Sequence, residues 1–349
     1  MTALRDIIAG MIAQDGPMPL DRYMALCLGH PEHGYYMTRD PFGVGGDFTT
    51  APEISQVFGE LIGIWCAQFW RELGSPRHFA LVELGPGRGT LMADILRVLQ
   101  KAPACLKASE VHFVETSEVL RAAQQRAVPD ATWHASVASL PGLPSIVIAN
   151  EFFDAIPIRQ FVRKGGNGFE VTVGLQGGAL ALGMVPSPFQ IPLAGEGVFE
   201  DATLRNAIAE HLGNHLNAVS GAALVIDYGH ARSGFGDTVQ AMQNHAACKI
   251  TDTPGDVDIT SHVDFESLAK SFARGGSQIA GLLPQGEFLQ RMGLQQRTEV
   301  LAQSLGAAAG QQLVAATERL AHRDQMGHLF KVMAVTGRLE TTPYPYGGT

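Results

Sequence analysis

The stretch LVELGPGRGTLMADILR, residues 81–97, constrains the fold of this chain more than any other part of the sequence. An apolar run ends in Glu83, three glycines follow at every second position, and a helical pattern begins at Thr90. Glycine has no Cβ, so such a loop can turn sharply and a ligand can lie directly on its backbone. A buried strand that passes through this kind of loop into a helix indicates an open parallel sheet with a nucleotide-like ligand at the loop.

Short apolar runs alternate with helical patterns over the rest of the chain. Continuous apolar strands joined by crossover helices predict a parallel sheet that is covered on both faces. We therefore expect the α/β class with a doubly wound sheet, and a closing pair of strands that flanks helices at about 286–304 and 308–321. The predicted strands have the sequences HFALVEL, EVHFVET, ATWHA, PSIVIAN, AALVIDYG, SQIAGLLPQ and HLFKVMAVTG.

The sequence pattern divides the chain into three parts. Residues 1–75 form a helical N-terminal part that includes a long glycine-rich loop. Residues 76–154 and 221–340 carry the strands of the core, and the inserted segment 155–220 separates its fourth strand from its fifth. In this insertion, IRQFVRK and FEVTVGL are predicted to form a hairpin through GGNG.

The remainder of the insertion is less regular in sequence. A helix is predicted at about 201–218, leading into the fifth strand. Residues 174–200 are rich in glycine and proline, and no element is predicted for them.

Charge and cysteine content exclude several classes of function. The net charge is −9 without a cluster of Lys or Arg, which disfavours nucleic acid as a partner, since phosphate binding requires grouped cations. An acidic surface suits a basic protein or peptide better. The four cysteines lie far apart and form no C-x-x-C pair, so we expect reduced thiols in a cytosolic protein.

The N-terminal sequence predicts a helix rather than a targeting peptide. Asp6 and Asp15 are unfavourable in a signal or transit peptide. The most apolar long stretch, residues 58–70, is too short to span a bilayer. We therefore expect a cytoplasmic protein without a membrane span. His30 and His33 are spaced like a pair of metal ligands, but with no third ligand in view no metal site is predicted.

Two ligand classes compete for the glycine loop. A dinucleotide favours G-x-G-x-x-G, whereas Gly85, Gly87 and Gly89 follow the spacing G-x-G-x-G. Glu83 would repel a pyrophosphate, but it suits S-adenosylmethionine, which has no phosphate and carries a sulfonium and an ammonium group. Glu115 ends the second strand, 26 residues after Gly89, where it can accept hydrogen bonds from ribose hydroxyls. A glycine-rich turn without a ligand is the alternative.

The fourth strand ends in polar residues of the same kind. Strands one and four of a doubly wound sheet are neighbours, so their C-terminal ends face one pocket. Asn150, Glu151 and Asp154 are therefore expected near the methyl donor. In the structural alternative, Asn150 is a turn residue and Asp154 caps a helix.

Several long motifs, in this order, resemble the MidA-like family of S-adenosylmethionine-dependent methyltransferases. They are GDFTTAPEISQVFGELIGIW, LVELGPGRGTLMADILR, NEFFDAIPIRQF, GAALVIDYGH and DITSHVDFESL. The resemblance covers nearly the whole chain and implies a seven-stranded, Rossmann-like methyltransferase sheet. It also implies methylation of a protein arginine, which in the mitochondrial members is symmetric dimethylation in the 49-kDa subunit of complex I, in support of assembly. The implied bacterial acceptor is a quinone oxidoreductase subunit.

An arginine acceptor implies a carboxylate grip. Its guanidinium is protonated and delocalised, hence a poor nucleophile, and bidentate bonds to two of its nitrogens can localise a lone pair on the third. The expected grip consists of Glu151 with Asp154 or Asp47. The segment GVGGDFTT is interpreted as a lid, or alternatively as a plain surface loop. The expected donor-binding residues are Glu83, Gly85, Pro86, Gly87, Gly89, Glu115, Asn150 and Phe48, the last of which shields the sulfonium.

Residues near the fifth strand are assigned to the substrate side. Asp227 and Tyr228 end that strand and are expected to line the substrate channel. His262 is a candidate acceptor for the released proton, although a structural role is the simpler interpretation. In the same motif, Asp258 and Asp264 are interpreted as caps of the following helix.

Three alternative functions remain open at this point. The first is methyl transfer to another acceptor, since the donor half is better specified than the acceptor half. The second is an assembly chaperone that binds the donor only for structure. The third, a dinucleotide-dependent oxidoreductase, is disfavoured by the glycine spacing and by Glu83. An oligomer is compatible with the apolar helix at 58–70, which equally suits a core.

Overall fold

A computed structural model describes residues 2–39, 50–243, 246–338 and 342–347 of the chain. Asp47, Phe48 and most of the predicted lid lie outside these described residues. The N-terminal part is helical, as predicted. Its elements are α1 (Ala3–Asp15), β1 (Met18–Pro19), α2 (Leu20–Gly29), α3 (Tyr35–Thr38), α4 (Ala51–Ile54) and α5 (Gln56–Glu72).

The next part alternates strands with helices. All four strands predicted here form, and α6 begins directly after the glycine loop. Two short helices, α7 and the 3-10 turn Val137–Ser139, were not predicted. The elements are β2 (Phe79–Leu84), α6 (Thr90–Leu99), α7 (Pro103–Ala108), β3 (Ser109–Val114), α8 (Glu118–Ala127), β4 (Thr132–His134) and β5 (Ser145–Asn150).

The inserted segment forms the predicted hairpin and two further strands. Gly165 and Gly166, both at positive φ, make its turn. Two further strands form within the segment 174–200, for which the sequence predicted no element. The elements are β6 (Arg159–Lys164), β7 (Asn167–Gln176), β8 (Ala179–Pro186), β9 (Gly197–Asp201) and α9 (Thr203–Val219).

The C-terminal part returns to the central sheet. The single helix predicted at 286–304 is divided in two, because Gly293 adopts φ +93° between its halves. The elements are β10 (Ala222–His230), β11 (Gln240–Gln243), β12 (Ala246–Cys248), β13 (Asp258–Thr260), β14 (Val263–Asp264), α10 (Phe265–Arg274), β15 (Gln278–Pro284), α11 (Gln285–Arg291), α12 (Leu294–Ser304), α13 (Ala307–Ala321), a π-helical turn (Arg323–Gly327) and β16 (Phe330–Thr336).

The central sheet has the strand order β4-β3-β2-β5-β10-β16-β15. Strands β4 to β10 along this path are parallel, whereas β16 runs antiparallel to both of its neighbours. The order reverses between β2 and β5, which leaves a crevice at the carboxyl ends of these strands. This confirms the doubly wound, Rossmann-like α/β sheet of seven strands, to which the two-residue β14 is added beside β10.

The two faces of the sheet carry separate hydrophobic cores. Leu81 of β2 packs into the core on one face, while Val82 packs into the core on the other, because neighbouring side chains of a strand point to opposite faces. The apolar helix α5 lies in the first of these cores, where Phe58 and Trp65 are buried. Its apolar face is therefore accounted for by the core of the chain itself.

A third hydrophobic core lies away from the central sheet. It joins Leu4 and Ile8 of α1 to Val173 of β7 in the insertion and to Ile259 of β13. Strand β1 also pairs with β7, so the N-terminal helices and the insertion pack together. Segments that are distant in sequence thus form one wall beside the carboxyl ends of the sheet. Among the described residues, no helix is long and apolar enough to cross a membrane.

Candidate active site

The glycine loop after β2 turns in a conformation that side chains rarely adopt. Gly85, Gly87 and Gly89 have φ values of +60°, +54° and +83°. The Gly85 N–H donates to the carbonyl oxygen of Val114 at 3.0 Å, which ties the loop to β3. A Cβ on Gly85 would lie 3.1 Å from Cδ2 of Phe152. The loop therefore lies close against its neighbours and depends on glycine for its shape.

Glu115, at the end of β3, is held in one orientation by its neighbours. Its Oε1 accepts hydrogen bonds from the backbone N–H groups of Thr116 and Ser117, both at 2.8 Å. Its Oε2 accepts from the Gln124 side chain at 3.2 Å, and the same amide donates to the carbonyl oxygen of Gly87 at 2.8 Å. Burial raises the pKa of Glu115, and these hydrogen bonds oppose the rise. The carboxyl group is thus fixed beside the glycine loop.

A recess of about 40 Å³ opens at the other side of the glycine loop. Glu83 and Asn150 line it, and both side chains are more than nine-tenths buried. Glu83 Oε2 and Asn150 Oδ1 have no hydrogen-bond partner among the described residues. Burial raises the pKa of Glu83 well above its usual range. Two adjacent acceptor atoms without partners fit a ligand that donates hydrogen bonds, such as an ammonium group.

A larger cavity of about 430 Å³ lies along the carboxyl ends of β3, β2, β5 and β10. Neighbouring strands are about 4.8 Å apart, so this edge is roughly 14 Å long. Four carboxylic acids line the cavity, and no Lys, Arg or His is among the described residues that line it. The acids are Glu115, Glu151, Asp154 and Asp258.

Glu151 directly follows β5 and adopts φ +49°, one of the few positive values at a residue other than glycine. Strain of this kind costs free energy and is concentrated at functional sites. Its Oε1 accepts from the backbone N–H of Ala51 at 3.2 Å and from the Asn150 side chain at 3.3 Å. Burial, followed by the nearby Asp154, raises the pKa of Glu151 to about 7. The group is thus half ionised near neutral pH.

Asp154 lies deeper in the cavity wall and is 6% exposed. Its Oδ1 has no hydrogen-bond partner among the described residues. Burial raises the pKa of Asp154, while a hydrogen bond from the Tyr228 side chain lowers it. Tyr228 itself lines the cavity, as predicted for the substrate side.

Asp227 does not reach the cavity, although it was expected to line the substrate channel. It is completely buried, and its Oδ2 accepts from the backbone N–H groups of Phe153 and Asp154 at 3.0 and 3.1 Å. Its Oδ1 accepts from the N–H of Tyr228 at 2.9 Å. Asp227 therefore orients the backbone that carries Asp154 and Tyr228.

The wall opposite the sheet contributes residues that the sequence did not suggest. The Tyr36 hydroxyl donates to Oδ1 of Asp258 at 2.9 Å, and both residues line the cavity. The sequence assigned Asp258 to a helix cap, but the N-cap of α10 is Asp264. Tyr36 and Asp258 reach the sheet only because the third core holds their segments there. No signal in a single sequence connects segments so far apart.

Three other predicted residues lie beside the cavity rather than in it. Gly89 starts α6, and its N–H donates to the carbonyl oxygen of Pro86 at 2.7 Å. Pro86 itself lines the small recess, together with Arg88. The ring of His262 packs edge-on against Tyr228, with ring centroids 5.4 Å apart, and does not line the cavity. Over the described parts of the chain, no cluster of His, Cys, Asp and Glu is able to hold a metal ion.

These features suit S-adenosylmethionine. The unpartnered acceptors of Glu83 and Asn150 match its ammonium group, and the carboxylate of Glu115 matches its ribose hydroxyls. The larger cavity is lined by four acids and, among the described residues, by no basic side chain, which matches the positive sulfonium and disfavours a pyrophosphate. The residues present thus fit the donor that the sequence predicted.

Comparison with known proteins gives an independent result. A sequence model of a family described as S-adenosyl-L-methionine-dependent methyltransferases matches residues 61–283. The Xenopus tropicalis protein named protein arginine methyltransferase NDUFAF7, mitochondrial, is 34% identical over an alignment that covers 99% of this chain and 89% of that protein. The human protein of the same name is also 34% identical, with coverages of 93% and 81%.

A solved structure resembles the whole chain. It is the crystal structure of a Burkholderia thailandensis protein bound to S-adenosyl-homocysteine, with a TM-score of 0.84 and 26% sequence identity. The likeness covers 98% of this chain and 93% of that one.

Proposed function

Because the chain belongs to the family of S-adenosyl-L-methionine-dependent methyltransferases, we propose that it transfers the methyl group to an arginine side chain of a protein. The enzyme class and the donor follow from the family, and the acceptor is the proposal. Support for the acceptor comes from the relatives in Xenopus, Drosophila and human, each named as a protein arginine methyltransferase.

The observation that carries the proposal is the charge of the 430 Å³ cavity. Its lining includes four carboxylic acids and, among the described residues, no basic side chain. A neutral acceptor would add no countercharge to those acids, of which Asp154 has only the buried Arg205 nearby in the described chain, and incomplete compensation of buried charge is costly. A guanidinium group is cationic, planar and rich in donors, so it satisfies several carboxylates at once.

The donor end of the site holds and orients S-adenosylmethionine. Glu115 receives the ribose hydroxyls, and Glu83 with Asn150 receives the ammonium group. Gly85 and Gly87 allow the donor to lie against the backbone at the start of α6. When bound, S-adenosylmethionine supplies an electrophilic methyl carbon on a positively charged sulfur.

The acceptor end holds the guanidinium. Glu151, Asp154 and Asp258 lie at the β5 and β10 side of the cavity, and the unpartnered Oδ1 of Asp154 is available to a guanidinium N–H. Bonds from these carboxylates to two nitrogens concentrate the lone pair on the third and direct it at the methyl group. Asp47 remains a proposed member of this grip, although it lies outside the described residues.

The proton that the guanidinium loses requires an acceptor in the cavity. Glu151 suits this role, since its pKa of about 7 lets it take up a proton near neutral pH. His262, the candidate suggested by the sequence, lies behind the Tyr228 ring. We propose that Glu151 holds the proton while Asp154 and Asp258 keep the product guanidinium in place.

Two finer proposals are added, of which only the first rests on the family resemblance. The first is that the acceptor belongs to a complex I-type quinone oxidoreductase subunit and that its arginine is symmetrically dimethylated to assist assembly. The second is that the protein acts in the cytoplasm, which agrees with four free cysteines. Mass spectrometry of that subunit in cells with and without the gene tests the first, and cell fractionation tests the second.

The acceptor type is tested by methylation in an extract. Protein from cells that lack the gene is incubated with the purified enzyme and S-adenosylmethionine carrying a labelled methyl group, then hydrolysed for amino-acid analysis by mass spectrometry. We expect the label in methylarginine. Label in methyllysine, in another side chain or only in small molecules would refute the proposed acceptor.

A further inference from the structure

A second cavity of about 190 Å³ adjoins the first at its acceptor end. The two cavities share the lining residues Ala25, Pro157 and Leu204. Pro157 follows β5 and Leu204 lies in the first turn of α9, which leads to β10, so the shared residues are on the acceptor side of the sheet. Gly85, Gly87 and Glu115 line the larger cavity on its donor side and are not among the residues that line the second cavity.

The three shared residues are apolar and stand where the two cavities meet, a place called the neck. On the inner side of the neck lie Asp154, with its unpartnered Oδ1, and Asp258. An arginine side chain has a matching shape, since three apolar methylene groups carry a cationic head. Its methylene groups suit the neck, and its guanidinium then reaches the inner carboxylates.

The outer cavity carries an unbalanced charge. Its two arginines are already paired, Arg159 with Glu170 at 2.7 Å and Arg22 with Asp15 at 3.9 Å. Its two acids, Asp21 and Asp201, form no ion pair within the described part of the chain. Both accept only local hydrogen bonds, Asp21 from the N–H of Arg22 and Asp201 from the Thr203 hydroxyl. The outer cavity therefore favours a positively charged group.

We propose that the acceptor protein enters through this outer cavity, passes its arginine side chain through the neck, and places a second basic residue against Asp21 and Asp201. This inference rests on the proposed arginine acceptor and adds a sequence preference to it. The selected segment carries a Lys or Arg close to the methylated arginine. The net charge of −9 assists the approach of such a basic segment.

Closing the neck tests the route. Ala25 is exposed on α2, so Ala25→Trp adds bulk at the neck without entering a hydrophobic core. In an extract from cells that lack the gene, we expect this variant to incorporate labelled methylarginine at least about tenfold more slowly than the wild type, with unchanged affinity for S-adenosylhomocysteine. Ala308→Trp, an exposed alanine of α13, is the matched control and retains full activity.

The charge of the outer cavity is tested by neutralising its acids. Asp21→Asn/Asp201→Asn is expected to lower incorporation into the same extract about fivefold at low salt, with a smaller difference at high salt. The control Asp130→Asn/Glu299→Gln removes the same charge from remote exposed positions and retains the wild-type rate. Methylarginine sites found in the extract are expected to have a Lys or Arg nearby.

The outcomes separate this inference from the proposed function. Methylarginine formation that proceeds at the wild-type rate in Ala25→Trp rejects the route and leaves the arginine acceptor standing. The role of Asp21 and Asp201 is rejected if Asp21→Asn/Asp201→Asn and its control lose methylarginine incorporation to the same extent. It is also rejected if the methylated sites have no basic residue nearby. If the wild type produces no methylarginine in the extract, the proposed function fails and the inference fails with it.

Discussion

The carboxylates Glu115 at the donor end and Asp154 at the acceptor end of the cavity differ in how far the protein satisfies their hydrogen bonds. At the donor end, Glu115 accepts three hydrogen bonds and is fixed before any ligand arrives. At the acceptor end, Asp154 keeps an oxygen without a partner, and Glu151 combines a φ of +49° with a pKa raised to about 7. The protein thus satisfies Glu115 by itself, whereas Asp154 keeps an open acceptor, as Glu83 and Asn150 do at the ammonium side of the donor end.

This difference indicates how the site divides its tasks. Because Glu115 is already held in one orientation, it binds the ribose of the donor without reorganisation. A group of buried acids with no basic side chain among the described residues that line the cavity destabilises the empty site and gains most from a guanidinium. Free energy stored in the acceptor end thus favours the charged substrate over neutral alternatives. Changes of pH and substitutions at either end should therefore have separable effects on donor affinity and on methyl transfer.

The pH dependence of kcat/KM should reflect Glu151 at the acceptor end. The pKa of about 7 means that Glu151 becomes protonated below neutrality and loses the negative charge that attracts the guanidinium. We expect kcat/KM to fall about tenfold per pH unit below 7, and about a hundredfold by pH 5. The affinity for S-adenosylhomocysteine, measured by calorimetry, should change less over the same range. A flat kcat/KM profile between pH 5 and 8 would contradict this role of Glu151.

Removal of the Glu115 carboxylate should weaken donor binding and leave the acceptor end unchanged. Glu115→Ala deletes the acceptor for the ribose hydroxyls and is expected to weaken S-adenosylhomocysteine binding about thirtyfold. The exposed Glu118→Ala, three residues further along, is the control and should bind normally. Normal donor affinity in Glu115→Ala would show that the ribose is held elsewhere.

The buried carboxylate of Glu151 should lower the free energy of unfolding of the protein without substrate. The folded pKa of Glu151, about 7, lies above its ordinary value of 4.5, so the wild type loses stability as pH rises from 4.5 and levels off above 7. Glu151→Gln removes the buried charge and should stabilise the protein at pH 8 by about 2 kcal/mol, a few degrees in melting temperature, but not at pH 5. Glu118→Gln, at an exposed position, should show no such pH-dependent difference. A Glu151→Gln protein that is less stable at pH 8 would refute the idea of stored free energy.

The smallest effect is expected where one hydroxyl positions one carboxylate. Tyr36→Phe removes the hydrogen bond to Asp258 and should raise KM for the acceptor protein about threefold, with unchanged donor affinity. Tyr23→Phe also removes a buried hydroxyl, whose partner is the carbonyl oxygen of Ile250 in the third core. It should lower stability without changing this KM, and an equal rise in KM for both variants would assign Tyr36 a purely structural role.

The difference between the donor end and the acceptor end also explains which site residues the sequence could predict. Glu83 and the glycines belong to one continuous strand-loop-helix unit and Glu115 ends the next strand, so their spacing alone predicted that they share one edge of the sheet. Asn150 and Glu151 follow from the rule that neighbouring strand ends share a pocket. These local signals are strong because a sharp loop requires glycine and a strand end fixes the direction of its acid.

The acceptor end was less predictable because it combines distant segments. Tyr36 follows α2 and Asp258 begins β13, and the third hydrophobic core brings them together. Asp227 was placed at the correct strand end but faces the backbone beneath the cavity, since strand register decides which acid points outward. The two strands in residues 174–200 also form through pairing with distant partners rather than through a strong local pattern.

The central claim is that donor binding and acceptor activation reside at separate ends of one cavity. Its most direct test is the measurement of two quantities, donor affinity and kcat at saturating donor, in Glu151→Gln and Glu115→Ala. We predict that Glu151→Gln binds S-adenosylhomocysteine like the wild type but lowers kcat about a hundredfold or more, and that Glu115→Ala loses affinity with a nearly normal kcat. A Glu151→Gln enzyme that keeps its kcat, or one that loses donor affinity to the same extent as Glu115→Ala, would contradict the account.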